Sequence, residues 1–312
     1  MARIPGARIA ALGHHLPDAV LTSEDVGRRV GVAPEWIIAR TGIRRRHRAA
    51  ADETVADMAT AAARHALRRL PTAPPLDAVI VATSTAESPM PAVAARVGAR
   101  LGLDEPVAFD VNAACAGFCT ALAVADGLVR AGASAGALVI GADRPTAWLD
   151  WADRDTAVLF GDGAGAAVVL PHTERAIGPV LWGSLGERAD AVGIDPDTRT
   201  LHQQGRAVYR WATGLGPIAR RTCERGGLPP EKLAAFVPHQ ANLRIITALA
   251  RSLDLDAEAV ATDVVDTGNT IAATVPIALS RLVERGGAGP GDTVLLFGFG
   301  AGLSYAGQLV TL

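Results

Sequence analysis

Three polar side chains stand at the ends of apolar segments that have the length of buried strands: Cys115, His239 and Asn269. Cys115 also opens an apolar segment of helical length, and a helix N-terminus presents free N–H groups and a partial positive charge. Both features favour the thiolate, which is the nucleophilic form of cysteine. Histidine and asparagine can stabilise negative charge that develops during a reaction. The set therefore predicts a nucleophilic cysteine with two polar partners.

Each of these residues also has a purely structural interpretation. A lone cysteine on an apolar helix is most often a small core residue. His239 alone could cap an element or lie at the edge of the core, and Asn269 alone is typical of a turn or an N-cap. The combination favours chemistry, because packing does not explain a Cys, a His and an Asn at three strand ends. Small residues from Ala113 to Gly117 leave room for a substrate at the sulfur.

The composition narrows the class of protein. The chain has 312 residues, of which 49% are hydrophobic, and a formal net charge of −2, which argues against nucleic acid as the main partner. Its three cysteines form no disulfide framework and fit a reducing compartment; Cys119 is predicted to be a core residue rather than a metal ligand beside Cys115. The N-terminus lacks the apolar segment of a signal peptide, and no apolar stretch has the length of a membrane span. We expect a soluble, cytoplasmic protein.

The order of apolar strands and amphipathic helices predicts an α/β protein with an internal duplication. In the first part, predicted strands at 77–82, 107–111, 137–142 and 160–170 alternate with helices at 92–101 and 115–131. In the second part, predicted strands at 234–239, 260–265, 293–298 and 303–312 alternate with helices at 243–253 and 270–285. Aligning the two parts places Cys115 opposite Asn269. We expect two halves, 1–170 carrying the cysteine and 171–312 carrying the histidine and asparagine, fused into one body.

Several motifs, in order and spacing, resemble the thiolase-fold β-ketoacyl-acyl-carrier-protein synthase III (ketosynthase III) family. They are Trp36–Ile43, Asn112–Phe118, Phe160–Gly165, Pro238–Asn242, Thr267–Thr270 and Gly298–Gly302. The resemblance extends over nearly the whole chain. It implies a thiolase-like fold in which the two α/β halves pack as an α-β-α-β-α layered body.

The resemblance also implies a reaction. An acyl-CoA would acylate Cys115, and malonyl-acyl-carrier-protein would then lose carbon dioxide and attack the acyl thioester. His239 and Asn269 would hydrogen-bond the malonyl thioester oxygen as neutral donors, and the backbone N–H groups of Cys115 and Ala301 would hold the acyl oxygen. The product would be a β-ketoacyl thioester that starts fatty-acid or polyketide synthesis. No metal and no cofactor are implied beyond these substrates.

Further residues receive roles only through the resemblance. For CoA, Trp36 would stack on the adenine, Arg40 and Arg154 would meet the phosphates, and Asn242 would support the His239 side of the site. Three arginines would dock the acidic carrier protein: Arg210, Arg244 and Arg251. The family implies a homodimer, with Met90 reaching the acyl pocket across its interface. Residues 186–205 form a shorter loop than is usual in the family, which predicts an open or rearranged roof over that pocket.

Three other functions compete with condensation. The same fold and cysteine could pass an acyl group to a hydroxyl or an amine without decarboxylation. A papain-like cysteine hydrolase also uses Cys, His and Asn in this chain order, but the sequence around Cys115 lacks its Cys-Gly-Ser-Cys-Trp pattern and the duplicated α/β order does not fit. A non-catalytic subunit would have no use for an intact nucleophile. The residues name neither the acyl primer, nor the pathway, nor the carrier protein.

Overall fold

The structure, a computed structural model, describes residues 6–312. Within this range the strands are β1 (Gly6–His15), β2 (Ala19–Thr22), β3 (Arg45–Arg48), β4 (Ala78–Ala82), β5 (Val107–Val111), β6 (Ala137–Asp143), β7 (Gly163–His172), β8 (Leu181–Ser184), β9 (Val192–Ile194), β10 (Leu201–Gln203), β11 (Ala235–Pro238), β12 (Thr293–Gly300) and β13 (Ser304–Thr311). The helices are α1 (Ser23–Val30), α2 (Pro34–Thr41), α3 (Val55–Leu67), α4 (Val93–Leu101), α5 (Gly117–Arg130), α6 (Gly205–Thr213), α7 (Gly216–Gly226), α8 (Leu243–Ser252), α9 (Val264–Thr267) and α10 (Thr274–Glu284).

Two mixed sheets form the body of the molecule. The first has the order β1-β7-β6-β4-β5, in which β6, β4 and β5 are parallel and β7 and β1 add antiparallel neighbours. The second has the order β11-β12-β13-β8, in which β11 and β12 are parallel. Strands β4 and β6 consist mostly of small and β-branched residues and are buried along their whole length, as expected for parallel strands covered on both faces.

Helices and sheets alternate in five layers. Helices α5 and α10 lie between the two sheets and share one apolar core with both of them. Helices α3 and α4 cover the outer face of the first sheet, and α6, α7 and α8 cover that of the second. The predicted α-β-α-β-α arrangement is confirmed, and so is the burial of Cys119 in the central core.

The internal duplication is confirmed, but the predicted alignment of Cys115 with Asn269 is wrong by three residues. Asn112 and Asn269 each accept a hydrogen bond from the backbone N–H two residues later, at 3.3 and 2.9 Å. Each acceptor turn is followed by a residue with positive φ, Ala114 at 45° and Ile271 at 50°. The equivalent positions are therefore 157 residues apart in the chain, so Asn269 corresponds to Asn112 and Cys115 corresponds to Ala272.

The same offset relates two glycines through which the halves meet. A Cβ atom on Gly141, at the end of β6, would lie 2.4 Å from the carbonyl oxygen of Ala272. A Cβ atom on Gly298, at the end of β12, would lie 2.9 Å from the carbonyl oxygen of Cys115. In each half, the turn that begins the central helix therefore packs against a strand of the other half, and only glycine allows this close approach.

Three predicted elements differ from the structure. The helices predicted from 115 and from 270 begin instead with 3₁₀ turns, Ala114–Ala116 and Ile271–Ala273. The first residue of each turn has a positive φ, which prevents a regular α-helical start. The strand predicted at 260–265 is wrong: only Val260 bridges to Phe236, and the chain then turns into α9.

The boundary between halves at residue 170 stays a prediction; β7 continues to His172. No helix among residues 6–312 is long and apolar enough to cross a membrane.

Candidate active site

A cavity of about 1380 Å³ opens between the ends of the two sheets and is lined by residues from both halves of the chain. Cys115, His239 and Asn269 all line it, as the sequence predicts. They come from the entry to α5, the end of β11 and the turn before α10. Carboxyl ends of parallel strands and helix entries meet at one edge of such sheets, which explains why these three segments converge.

Cys115 lies in the 3₁₀ turn between β5 and α5, half-buried at the wall of the cavity. The backbone N–H groups of Cys115 itself and of Ala301 lie near the thiol and act to lower its pKa. Gly300 makes room for the sulfur, because a Cβ atom there would lie 2.8 Å from Sγ. That these two N–H groups hold the acyl oxygen stays a prediction.

The expectation that this position favours the thiolate is wrong for the resting site. Burial, with a smaller contribution from the carboxylate of Asp143, raises the pKa of the Cys115 thiol to about 12, against the opposing effect of the two N–H groups. The resting nucleophile is a thiol, and it must lose its proton during the reaction.

His239 follows β11 and is 2% exposed. Its backbone N–H continues the ladder to the carbonyl of Phe297 at 2.8 Å, and the ring packs edge-on against Phe299 at 5.3 Å between centroids. Nδ1 lies 2.7 Å from Oγ1 of Thr274. Burial lowers the pKa of His239 to about 3, so the ring is neutral at physiological pH.

Asn269 is held from both sides by the backbone. Its N–H donates to the carbonyl of Leu159 at 2.9 Å, and its own carbonyl accepts from Gly161 at 3.1 Å. Its side-chain oxygen accepts from the N–H of Ile271 at 2.9 Å. This bond orients the side chain and leaves the amide nitrogen available as a donor at the cavity wall.

Asp143 is a buried carboxylate beside the site that sequence reasoning missed. It accepts from the backbone N–H of Ala272 at 2.9 Å, from that of Ser84 at 2.8 Å and from the hydroxyl of Thr85 at 2.8 Å. It is 0% exposed, and burial raises its pKa to about 6. Asp143 thus binds the first half to the entry of α10 in the second. Its place at the last position of β6, facing the seam, is the signal that could have found it.

The mouth of the cavity carries the residues that the resemblance assigns to CoA. Trp36, Arg40, Arg154 and Asn242 line it. The Arg40 guanidinium lies over the indole of Trp36 at 4.0 Å, so it covers one face of the ring that was expected to stack on adenine. Asn242 caps α8 through the N–H of Arg244 at 2.9 Å and donates to the carbonyl of Arg40 at 3.0 Å. It therefore orders the mouth and makes no hydrogen bond to His239.

The arginines predicted to dock a carrier protein divide into two groups. Arg210 and Arg244 line the mouth, and the Arg244 guanidinium lies over the ring of Tyr209 at 5.3 Å. Arg251 is exposed near the end of α8, outside the cavity. Met90 is 76% exposed and does not line the cavity of its own chain, so its predicted place in an acyl pocket requires a second chain.

Apolar side chains surround the cysteine on one side of the cavity. Leu149, Phe160, Leu201 and Ile271 are buried and pack with Cys115. Leu201 belongs to the hairpin of β9 and β10, whose residues 192–194 also line the cavity. The short 186–205 segment thus forms a compact hairpin over the site rather than an open loop. This cluster can receive the hydrocarbon part of an acyl group.

A separate group of side chains could share a metal ion within residues 6–312: His14, His65 and Glu284. None of them lines the cavity. Arg69 donates to Glu284 Oε1 at 2.6 Å, and His14 Nδ1 lies 3.0 Å from the hydroxyl of Ser280. The group is already bonded as an ion-paired network that ties β1, α3 and α10 together.

Comparison with known proteins decides the family. Two family models match: 3-oxoacyl-[acyl-carrier-protein] synthase III over residues 109–186, and the C-terminal part of the same enzyme over residues 223–312. A Streptomyces avermitilis β-ketoacyl-[acyl-carrier-protein] synthase III is 56% identical over 310 residues, covering 98% of each chain. A relative of the same description from Mycobacteroides abscessus is 43% identical over 97% of this chain and 94% of its own. The chain belongs to the 3-oxoacyl-[acyl-carrier-protein] synthase III family.

Solved structures agree with this assignment to the synthase III family and its thiolase fold. The priming β-ketosynthase of the R1128 polyketide pathway superposes with a TM-score of 0.96 at 41% identity, over 100% of this chain and 98% of its own. The synthase III of Thermus thermophilus superposes with a TM-score of 0.94 at 42% identity, over 98% and 99%. The family resemblance inferred from the motifs is confirmed.

Proposed function

We propose that this chain is a β-ketoacyl-acyl-carrier-protein synthase III that joins an acyl group from acyl-CoA to malonyl-acyl-carrier-protein with loss of carbon dioxide. The convergence of Cys115, His239 and Asn269 in one cavity carries the proposal, because the two halves supply a nucleophile and two neutral polar groups around a single reacting centre. Family membership supports the same reaction.

In the first half-reaction, the Cys115 sulfur attacks the acyl carbonyl carbon. The sulfur–carbon bond forms, the bond from that carbon to the CoA sulfur breaks, and the thiol proton leaves with CoA as its free thiol. The N–H groups of Cys115 and Ala301, which lie near the sulfur, would hold the acyl oxygen while it is negative. The apolar cluster around Cys115 receives the acyl chain.

In the second half-reaction, malonyl thioester loses carbon dioxide, and its α-carbon attacks the acyl–Cys115 thioester to give the β-ketoacyl product. One proton is taken up as the Cys115 thiol is restored. His239 and Asn269 would hydrogen-bond the thioester oxygen of the enolate. Both are uncharged, so they stabilise the developing negative charge without needing to be desolvated as ions.

The substrate arms and the carrier protein would enter by the same mouth. Trp36 and Arg40 form a stacked cationic surface there, and Arg154 lines it nearby. An acidic carrier protein would meet Arg210, Arg244 and Arg251. Arg251→Glu is therefore expected to raise the KM for malonyl-acyl-carrier-protein severalfold. Arg225 is also exposed but lies on α7, away from the mouth of the cavity, so Arg225→Glu serves as the matched control for charge reversal.

A homodimer is part of the proposal. Strand β5 is an edge strand that, within residues 6–312, pairs only with β4, and its apolar residue Val107 is 58% exposed. Edge strands with exposed apolar residues usually have a partner. Sedimentation of the protein as a monomer at micromolar concentration would contradict this part. A cytoplasmic location stays a prediction from composition.

Intact-protein mass spectrometry tests the function directly. The protein is incubated with a panel of acyl-CoAs, including polyketide starter units because a structural relative primes a polyketide pathway, and then with malonyl-acyl-carrier-protein. We expect a mass gain that Cys115→Ala abolishes and that malonyl-acyl-carrier-protein discharges into a β-ketoacyl product. Discharge to a hydroxyl or amine acceptor, with no carbon dioxide released, would instead support the acyl-transfer alternative.

A further inference from the structure

The hydroxyl of Thr274 is the polar partner of His239 on the side away from the cavity. Thr274 is the first residue of α10 and is 2% exposed. Its Oγ1 lies 2.7 Å from Nδ1 of His239 and 2.9 Å from the carbonyl oxygen of Ile271. Both contacts are within hydrogen-bond distance, and both involve buried residues.

A proton count relates these contacts to the tautomer of His239. A hydroxyl has one hydrogen to donate. The Ile271 oxygen can only accept, so if the hydroxyl donates to it, Nδ1 must carry the ring proton and donate to Oγ1. In that arrangement both contacts are hydrogen bonds. If the hydroxyl turns toward Nδ1 instead, the ring proton must sit on Nε2 and the contact to Ile271 is lost. The first arrangement makes one more hydrogen bond, which favours it in the resting site.

We propose that Thr274 is a positioning residue that keeps the ring proton of resting His239 on Nδ1 and presents an unprotonated Nε2 to the cavity. This inference rests on the proposed function. Nε2 then accepts the proton of the Cys115 thiol as its sulfur attacks acyl-CoA, and passes that proton to the CoA sulfur as the thioester bond breaks. The ring ends neutral, and CoA leaves as its thiol.

The chemistry of a hydroxyl suits this position better than a carbonyl or a carboxylate would. Those groups only accept hydrogen bonds, so they would hold the ring in one tautomer. A hydroxyl can also donate to Nδ1 after a rotation about its C–O bond. The opposite tautomer, with a donor at Nε2, is then available for the hydrogen bond to the thioester oxygen that the second half-reaction uses.

The tautomer can be observed without any turnover. In protein labelled with ¹⁵N-histidine, the ring nitrogens of His239, assigned by their loss in His239→Gln, should show a protonated Nδ1 and an unprotonated Nε2. In Thr274→Val, which replaces the hydroxyl by a methyl group, Nδ1–H has no acceptor in a buried site. The proton should then move to Nε2, where cavity water can accept it. Thr274→Ser should restore the wild-type spectrum.

Kinetics provide the second readout. The rate of Cys115 acylation by acyl-CoA should fall at least tenfold in Thr274→Val and return to within about threefold of wild type in Thr274→Ser. Thr222→Val is the matched control, since Thr222 is buried in α7 and its hydroxyl bonds the carbonyl of Ile218 at 2.9 Å. Its acylation rate should match wild type.

Two results would overturn the inference: a wild-type resting spectrum with the proton on Nε2, or unchanged acylation in a folded Thr274→Val. Failure of the proposed function is a separate outcome, because it would appear as wild-type protein that no acyl-CoA acylates. The nitrogen spectrum of the wild type would still decide the role of Thr274. It also does so if Thr274→Val fails to fold.

Discussion

Replacing Gly300 with alanine should disable the nucleophile while leaving the fold in place. The added Cβ atom would lie 2.7 Å from Cβ and 2.8 Å from Sγ of Cys115. The φ of Gly300 is 173°, which is extended backbone that alanine adopts freely, so the contact alone causes the effect. Ordinary contact begins near 3.4 Å, so Cβ and Sγ of Cys115 must both retreat by roughly 0.6–0.7 Å, and Cβ can do so only with its backbone. Displacements near 1 Å cost about 100-fold in rate, so we expect acylation to slow by about 10- to 100-fold.

The stability cost should be that of local overpacking, because the turn that carries Cys115 must shift slightly at the wall of the cavity. Overpacking of this kind costs about 1–3 kcal/mol in the free energy of unfolding. Rapid-quench mass spectrometry measures acylation of Cys115, and urea unfolding measures stability. Gly289→Ala is the matched control, since its Cβ would meet nothing within 4 Å. An acylation rate for Gly300→Ala within twofold of wild type would refute the claim that Gly300 is required to seat the sulfur.

Three further predictions test the contact between the halves, the buried carboxyl of Asp143 and the half-buried His14. Gly141→Ala should lower the free energy of unfolding by about 3 kcal/mol or more, because its Cβ would meet backbone atoms of Ala272 at 2.4 and 2.8 Å. Urea unfolding measures this loss, and a loss below about 1 kcal/mol would contradict the prediction. Asp143→Asn removes a negative charge that raises the pKa of Cys115, so the midpoint of pH-dependent alkylation of Cys115 should fall. Asp126→Asn, which changes another buried carboxyl, should leave that midpoint unchanged. An unchanged or higher midpoint in Asp143→Asn would contradict the effect assigned to the Asp143 charge. Burial lowers the pKa of His14 from 6.5 to about 4, so the unfolded chain binds its proton first and the stability that neutral His14 supports is lost as pH falls from about 6.5 toward 4. The difference in unfolding free energy between wild type and His14→Gln should therefore shrink by about 2–3 kcal/mol between pH 7.5 and 4.5, and a constant difference would count against it.

The sequence predicts the layered fold well, because apolar segments of strand and helix length alternate along it. It also predicts which polar residues meet: Cys115, His239 and Asn269 each follow or open an element that ends at the same edge. The strand predicted at 260–265 is wrong, because an apolar composition does not show that the chain forms a single bridge at Val260 and then the short helix α9.

The environment of the site is harder to predict from sequence. Electrostatics depend on what surrounds a group in space, so the raised pKa of Cys115 could not be anticipated from its place at a helix entry. Asp143 was missed because its partners come from residues 83–85 and from Ala272, which is distant in the chain. Asn112 offered a signal, since comparing it with Asn269 at a constant offset yields the correct alignment of the two halves.

That alignment has a consequence for how the two halves have diverged. Cys115 corresponds to Ala272, and Gly300, which leaves space for the sulfur, corresponds to Asp143. In one pair, the sulfur of Cys115 occupies the space that Gly300 leaves empty. In the equivalent pair, the carboxylate of Asp143 accepts a hydrogen bond from the backbone N–H of Ala272. Recreating the nucleophile on the other side would require at least two coordinated changes, Ala272→Cys and Asp143→Gly. Removal of the acid alone would leave four donors without their acceptor. The backbone therefore keeps the symmetry of the duplication, but no single substitution creates a second nucleophile at position 272. The chain has one active site for this reason.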